Sequence, residues 1–270
     1  MRIFAVRDDD LNSKTVAYLL YYEIPKTFYI ELPDDADEWE TPLLLSSFVK
    51  QGEHTVNSYW SNEWVRQRIV PQDRQNISEV LKDNGLSEYD EFDLLMLSMG
   101  KCAQDNCYLT EIAADELPAE LTERWKIKLE DVVPLEGGAL LCFFRNGAVK
   151  KCSIAEYKNE IPQLSGILSR FDIFEKVEVQ TDGYGVSWIG TAMISNSRLY
   201  DSGVDVPLTL NDFVSFISNR VINSSQACKL LDCSRQNIQD LVKRGKLRPI
   251  RIDGKNTMFL RNEIVQRRKG

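Results

Sequence analysis

With 270 residues, 43% of them hydrophobic and 27% charged, the chain is long enough for two or three compact domains and has the balance of folded, soluble protein. No apolar run approaches the roughly 18 residues of a membrane span. The first residues, Arg2 to Val6 followed by Asp8, Asp9 and Asp10, lack the long apolar core of a secretory signal, so the expected compartment is the cytoplasm, with no membrane partner.

The net charge of -8 hides an asymmetry: residues 220–270 carry 13 Lys and Arg against four acids, a net of +9, which leaves -17 on the remainder. A compact basic tail on an acidic protein is the footprint of a polyanion-binding module, because each phosphate it neutralises releases counterions. The acidic remainder would be repelled by the same polyanion.

From the N-terminus, Val16, Tyr18, Leu20, Tyr22, Phe28 and Ile30, interrupted at Pro25, predict a small antiparallel sheet. An acidic loop (Asp34, Asp35, Asp37, Glu38) follows. Apolar spacing of three and four then predicts helices over 43–49, 60–68, 74–84 and 92–99, broken near Gly52, Pro71 and Gly85. Residues 1–130 are therefore expected to form an α+β domain. A second α+β domain is expected over 131–210. It contains a hairpin of strands 139–144 and 149–154 about Asn146-Gly147, a helix over 163–170, and a second hairpin about Asp182-Gly183. A short apolar helix near 210–217 leads to the third domain, residues 219–270. The predicted fold class is multidomain α+β.

In that third domain, Ser224 or Ser225 is suited to cap a helix that runs through Ala227, Cys228, Leu230 and Leu231 and stops at Asp232. Ser234 caps a second helix over 235–243. Its Ile238, Leu241 and Val242 share one face, and Arg235, Gln236, Asn237, Gln239 and Lys243 occupy the other, where they can hydrogen-bond base edges or phosphates. Arg244-Gly245-Lys246-Leu247 closes the helix with a left-handed glycine beside two cations. Strands over 248–252 and 257–260, joined through Asp253-Gly254, make a wing with Arg248, Arg251, Lys255 and Asn256 on it, able to lie along a DNA backbone. The candidate DNA-binding residues are thus Ser234, Arg235, Gln236, Asn237, Gln239, Lys243, Arg244, Lys246, Arg248, Arg251, Lys255 and Asn256.

The run from Ser225 to Ile238, followed by Arg244-Gly245-Lys246-Leu247 and Phe259, resembles the MerR-like and excisionase-like winged helix-turn-helix family. That family usually places a glycine and an apolar residue before the serine cap. Here Asp232 departs from the first and Cys233 fits the second. The resemblance makes Cys228 and Cys233 core positions. The segment from Leu135 to Gly203 resembles a small bacterial α+β domain of unknown function found near toxin-antitoxin-like loci. The segment from Trp64 to Ala103 is similar to the small N-terminal domain of HipA-type toxin kinases. The kinase body is missing, because there is no glycine-rich phosphate loop, and His54 is followed by Thr and Val rather than Arg and a catalytic Asp.

Six cysteines (102, 107, 142, 152, 228, 233) are too sparse for a disulfide scaffold. Zinc is the sharper alternative, but the pairs stand five apart and only one histidine accompanies them, so structural thiols are the preferred reading. His54 has no nucleophile motif beside it, and Trp60 and Trp64 are spaced as helix core. No catalytic residue, metal or cofactor is assigned. The expected function is a bacterial, sequence-specific DNA-binding transcriptional regulator of an antitoxin-like kind, acting on double-stranded DNA as a homodimer or with a toxin-like protein partner held by the upstream domains. The alternative is a protein-binding adaptor or toxin-neutralising antitoxin whose DNA contact is secondary.

Overall fold

The computed structural model describes residues 1–188, 191–254, 256–261 and 263–265. It divides into two compact units, one of residues 1–146 and 150–204, the other of 147–149 and 205–270.

The larger unit is built on a five-stranded antiparallel sheet ordered β4-β3-β2-β1-β5, from β1 (Arg2–Asp8), β2 (Lys14–Tyr22), β3 (Thr27–Glu31), β4 (Thr55–Val56) and β5 (Cys107–Ile112). Side chains alternate across a strand, and here both faces are covered, which is why β2 is buried almost end to end. Phe4, Val6, Leu19, Tyr21, Phe28 and Ile30 point to one core. They meet Leu45 of α1 (Leu43–Lys50), Trp64 and Val65 of α2 (Ser58–Arg66), and Phe92 and Leu95 of α4 (Glu91–Ser98). Between these helices lies the short, exposed α3 (Ile77–Asp83). The other face, with Ile3, Ala5, Tyr18, Leu20 and Tyr29, packs on Leu117, on Leu121 of α5 (Ala119–Trp125), and on Tyr184.

The expected boundary at residue 130/131 does not separate two compact units. Strands β6 (Leu129–Leu135), β7 (Ala139–Phe144) and β8 (Val149–Ser153) are consecutive in a second sheet, and β9 (Glu178–Val179), β10 (Gly185–Trp188) and β11 (Ala192–Ser195) form a third. Helices α6 (Leu164–Leu168), α7 (Phe171–Phe174) and α8 (Asn196–Ser202) accompany them. Tyr184, from the turn before β10, stacks on Tyr29 of β3 at 3.9 Å and donates to the buried Glu31 carboxylate. The ring and the carboxylate would each lose a partner if the two segments parted, so the two expected α+β domains share a core. Both hairpins lie where expected, with Gly147 and Gly183 at positive φ. The larger unit ends at Val204, the first residue of the two-residue β12 (Val204–Asp205).

The smaller unit contains α9 (Leu210–Arg220), β13 (Val221–Asn223), α10 (Ser224–Leu231), α11 (Arg235–Lys243), β14 (Arg251–Asp253) and β15 (Asn256–Leu260). Its three strands form an antiparallel sheet ordered β13-β15-β14. Ile222, Ala227, Ile238, Leu247, Phe259 and Ile264 make the core, with Cys228 and Cys233 packed against it. Among the described residues no helix is long and apolar enough to cross a membrane, and no group of three or more His, Cys, Asp or Glu could hold a metal ion.

Candidate nucleic-acid interface

The helix pair is fixed by its caps. Asn223, extended at the end of β13, accepts from the Gln226 amide at 2.9 Å, and the Gln226 side chain accepts from the Asn223 amide at 2.9 Å. This reciprocal box satisfies two amides that the first turn leaves open. The cap of α10 is therefore Asn223 and not Ser224 or Ser225. Those serines already lie in the first turn, where Ser224 donates to the Thr257 carbonyl and Ser225 accepts from Arg235 at 2.6 Å. Asp232 closes α10 at φ 51 and ψ 51, the left-handed conformation that glycine usually supplies, and the Cys233 amide returns to the Cys228 carbonyl at 3.1 Å. Aspartate tolerates this region better than most side chains. The departure from the family pattern at Asp232 thus leaves the turn intact.

Ser234 caps α11 through the Asn237 amide. Helical periodicity then buries Ile238 and leaves Leu241 and Val242 half-buried, while Arg235, Gln236, Asn237, Gln239 and Lys243 are exposed. Gly245 follows at φ 64, its amide and that of Lys246 returning to the Val242 and Leu241 carbonyls, and Leu247 drops into the core. The hairpin pairs Arg251 with Met258 and Asp253 with Asn256. Its first strand starts later than expected: Pro249 offers no amide, although the Ile250 amide still reaches the Met258 carbonyl at 2.8 Å. The expected hairpin has a third strand beside it, β13, whose Ile222 faces Phe259.

Between α11 and the hairpin runs an open groove of about 540 Å³, lined among others by Arg235, Gln239, Lys243 and Asn256. Ser225 and Thr257 also line it, and sequence reasoning missed them as site residues. Of the remaining candidates, Gln236 and Asn237 stand exposed on the first turn of α11, and the Ser234 hydroxyl is committed to its cap. Arg244, Lys246, Arg248 and Arg251 are exposed outside the groove, with Arg251 3.9 Å from Asp253. Lys255 lies outside the described residues. Burial pushes the Cys233 thiol up, with Cys228 and Asp232 adding to the effect, which disfavours the thiolate a metal would need.

The sequence profile of the helix-turn-helix domain family matches residues 221–269, the stretch from β13 past the hairpin. No curated protein and no solved structure matches the chain. The smaller unit carries a helix-turn-helix domain.

Proposed function

We propose that the chain is a sequence-specific DNA-binding transcriptional regulator whose module is of the winged, MerR-like or excisionase-like kind. One observation carries this reading: the side chains of α11 that can reach base edges are all exposed, and Arg235, Gln239 and Lys243 among them line a groove that also takes in Asn256 of the hairpin. The first turn of α11 is the part that a helix of this type offers to the major groove, and the hairpin, as a wing, lies along the adjacent backbone. Function then resides in binding, with no catalytic step, in the cytoplasm. One module covers one half-site, so the unit that acts on an operator is a homodimer or a complex with a toxin-like partner. The partner class and the antitoxin-like role come from the resemblance of the N-terminal segment to the N-terminal domain of HipA-type toxin kinases and of the middle segment to a domain of unknown function found near toxin-antitoxin-like loci.

A second reading, an adaptor that neutralises a protein partner, is favoured by the acidic loop before α1. There Trp39 and Leu43 are 87% and 91% exposed, a large apolar contact offered among carboxylates. A gel shift of the full chain on its own promoter, with random DNA as competitor, separates the two. Retention that survives excess random DNA supports the regulator. Displacement at equal mass of random DNA sinks it in favour of the adaptor.

A further inference from the structure

The helix α9, which leads into the smaller unit's sheet, is firmly started but not covered. The Thr209 hydroxyl accepts from the Asp212 amide at 3.2 Å, and the Thr209 amide and hydroxyl donate to the Asp212 carboxylate at 2.8 and 2.7 Å, a reciprocal cap. Leu210, Phe213, Val214 and Ile217 recur at intervals of three and four and so fall on one stripe, which Phe216 borders; the other positions up to Asn219 are polar. Yet no residue of this helix is buried, and none belongs to the core of the smaller unit. Val214, Phe216 and Ile217 are 52%, 53% and 57% exposed, and Leu208, just ahead of the cap, is 47% exposed. A helix of 11 residues is too short to hold itself in water and takes its stability from covering its apolar face.

Three features identify the cover as a second copy of the same helix. The first is charge. The helix contains two charged residues, Asp212 in its first turn and Arg220 in its last. Laid antiparallel, two copies set the Asp212 end of each beside the Arg220 end of the other and oppose their dipoles, and the stripe between these ends holds no charge that would repel its twin. Duplex DNA would find no cation on that stripe. The second feature is area. Leu208, Val214, Phe216 and Ile217 offer roughly 100 Å² each, and with the half-buried Leu210 and Phe213 a two-fold pair removes on the order of 1,000 Å² from water, the size at which an interface becomes specific. The third is position. The helix runs directly into β13, and β13 and β14 are opposite edges of the three-stranded sheet. Pairing beside β13 leaves α11 and the hairpin free.

We propose that α9 is a homodimerisation helix that pairs antiparallel with the α9 of a second copy about a two-fold axis. Each residue of the stripe then meets the same surface of its twin, as a two-fold interface requires. The use of the dimer, to set two modules on one operator, rests on the DNA reading; the pairing does not, and it is tested without DNA.

The test is sedimentation equilibrium of the full chain over concentrations that span both forms, with hydrogen exchange of the α9 amides followed in the same samples. A reversible monomer-dimer equilibrium is expected, with protection of α9 rising as the dimer fraction rises. Ile217→Glu, an exposed position within the stripe, should weaken the dimer by at least ~10-fold, whereas Ser215→Glu, on the polar side, should leave it unchanged. A wild-type chain that stays monomeric at about 100 μM overturns the proposal. So does a dimer that Ile217→Glu leaves intact or that Ser215→Glu weakens equally. Protection of α9 that is the same in monomer and dimer would mean that a second copy is not its cover, and overturns it too. The exchange measurement needs no variant, so the result does not depend on how Ile217→Glu folds. A failure here leaves the gel shift on promoter DNA untouched, and a failed gel shift leaves the dimer standing.

Discussion

The sharpest consequence of the smaller unit's geometry is the salt dependence of DNA binding and how Arg235 enters it. Six cations of the module, Arg235, Lys243, Arg244, Lys246, Arg248 and Arg251, are exposed. If about five phosphates are neutralised, the slope of log K against log salt is about -4.5, and raising salt from about 50 to 200 mM weakens binding by roughly 500-fold, or ~3.7 kcal/mol. Arg235 lies at the first turn of α11 and is held by Ser225 at 2.6 Å, so its guanidinium is aimed before DNA arrives. Arg235→Ala should flatten the slope by about 0.9, leaving a loss of roughly 150-fold over the same range. Ser225→Ala keeps the charge and removes only the tether, so it should weaken binding at every salt concentration without changing the slope. Fluorescence anisotropy of the full chain on a labelled promoter duplex measures all three. A wild-type slope near zero, or an Arg235→Ala slope equal to wild type, refutes the reasoning.

Three further outcomes are expected. Asn237→Ala should change base preference, at about 1–3 kcal/mol for a lost base contact, whereas Arg251→Ala should weaken specific and random DNA alike; equal losses on all sequences from both, measured by competition, would remove Asn237 from the readers. Asp232→Gly relieves a left-handed aspartate at a cost in unfolded-chain entropy, so a net gain of up to about 1 kcal/mol is expected in the hydrogen-exchange protection of α10 and α11; a loss of protection would mean that the aspartate contributes more than turn geometry. Burial pushes Lys128 down to about 8 although Asp182 holds it, so between pH 8 and 10.5 the unfolded chain keeps a proton that the folded chain releases, and stability from this group rises with pH by at most about 3 kcal/mol. Buried Cys107 and Tyr29, both pushed up to about 12, act in the opposite direction at alkaline pH, so the quantity to measure by urea unfolding is the difference between wild type and Lys128→Met. That difference should favour wild type increasingly across the window, and a constant difference would contradict the assignment.

The sequence made the smaller unit legible because its signals are local. Ser234 and the spacing of Ile238, Leu241 and Val242 define α11 within nine residues, and Gly245 marks its end. What escaped depends on partners far along the chain. The strand β13 has three residues, too few to show alternation, and exists because Ile222 pairs with Phe259. Its formation puts Asn223 in the extended conformation of a cap and moves that role away from the serines. The pattern of Asn223 with Gln226 three positions on was the available clue.

The same distinction accounts for the larger unit. Helices α1 to α4, α6 and both hairpins followed from periodicity and from Asn146-Gly147 and Asp182-Gly183, whereas α5, α7 and α8 were not anticipated, and those patterns say nothing about which apolar faces share a core. Asp182 was read only as a turn residue. In the fold it takes φ 54, and its carboxylate accepts from Tyr22 at 2.6 Å, Lys128 at 2.7 Å and Arg145 at 2.6 Å, donors from three separate segments. A left-handed aspartate costs backbone energy, and the donors that fix it here are supplied by tertiary structure. The chain thus forms a partly buried ion cluster, with Lys128 enclosed and Arg145 at the surface, where its N-terminal sheet meets the later hairpins, an arrangement that two independently folded domains would not need. Composition could not reveal it, since Lys128, Arg145 and Asp182 each look like ordinary surface charge until the strands that carry them are brought together.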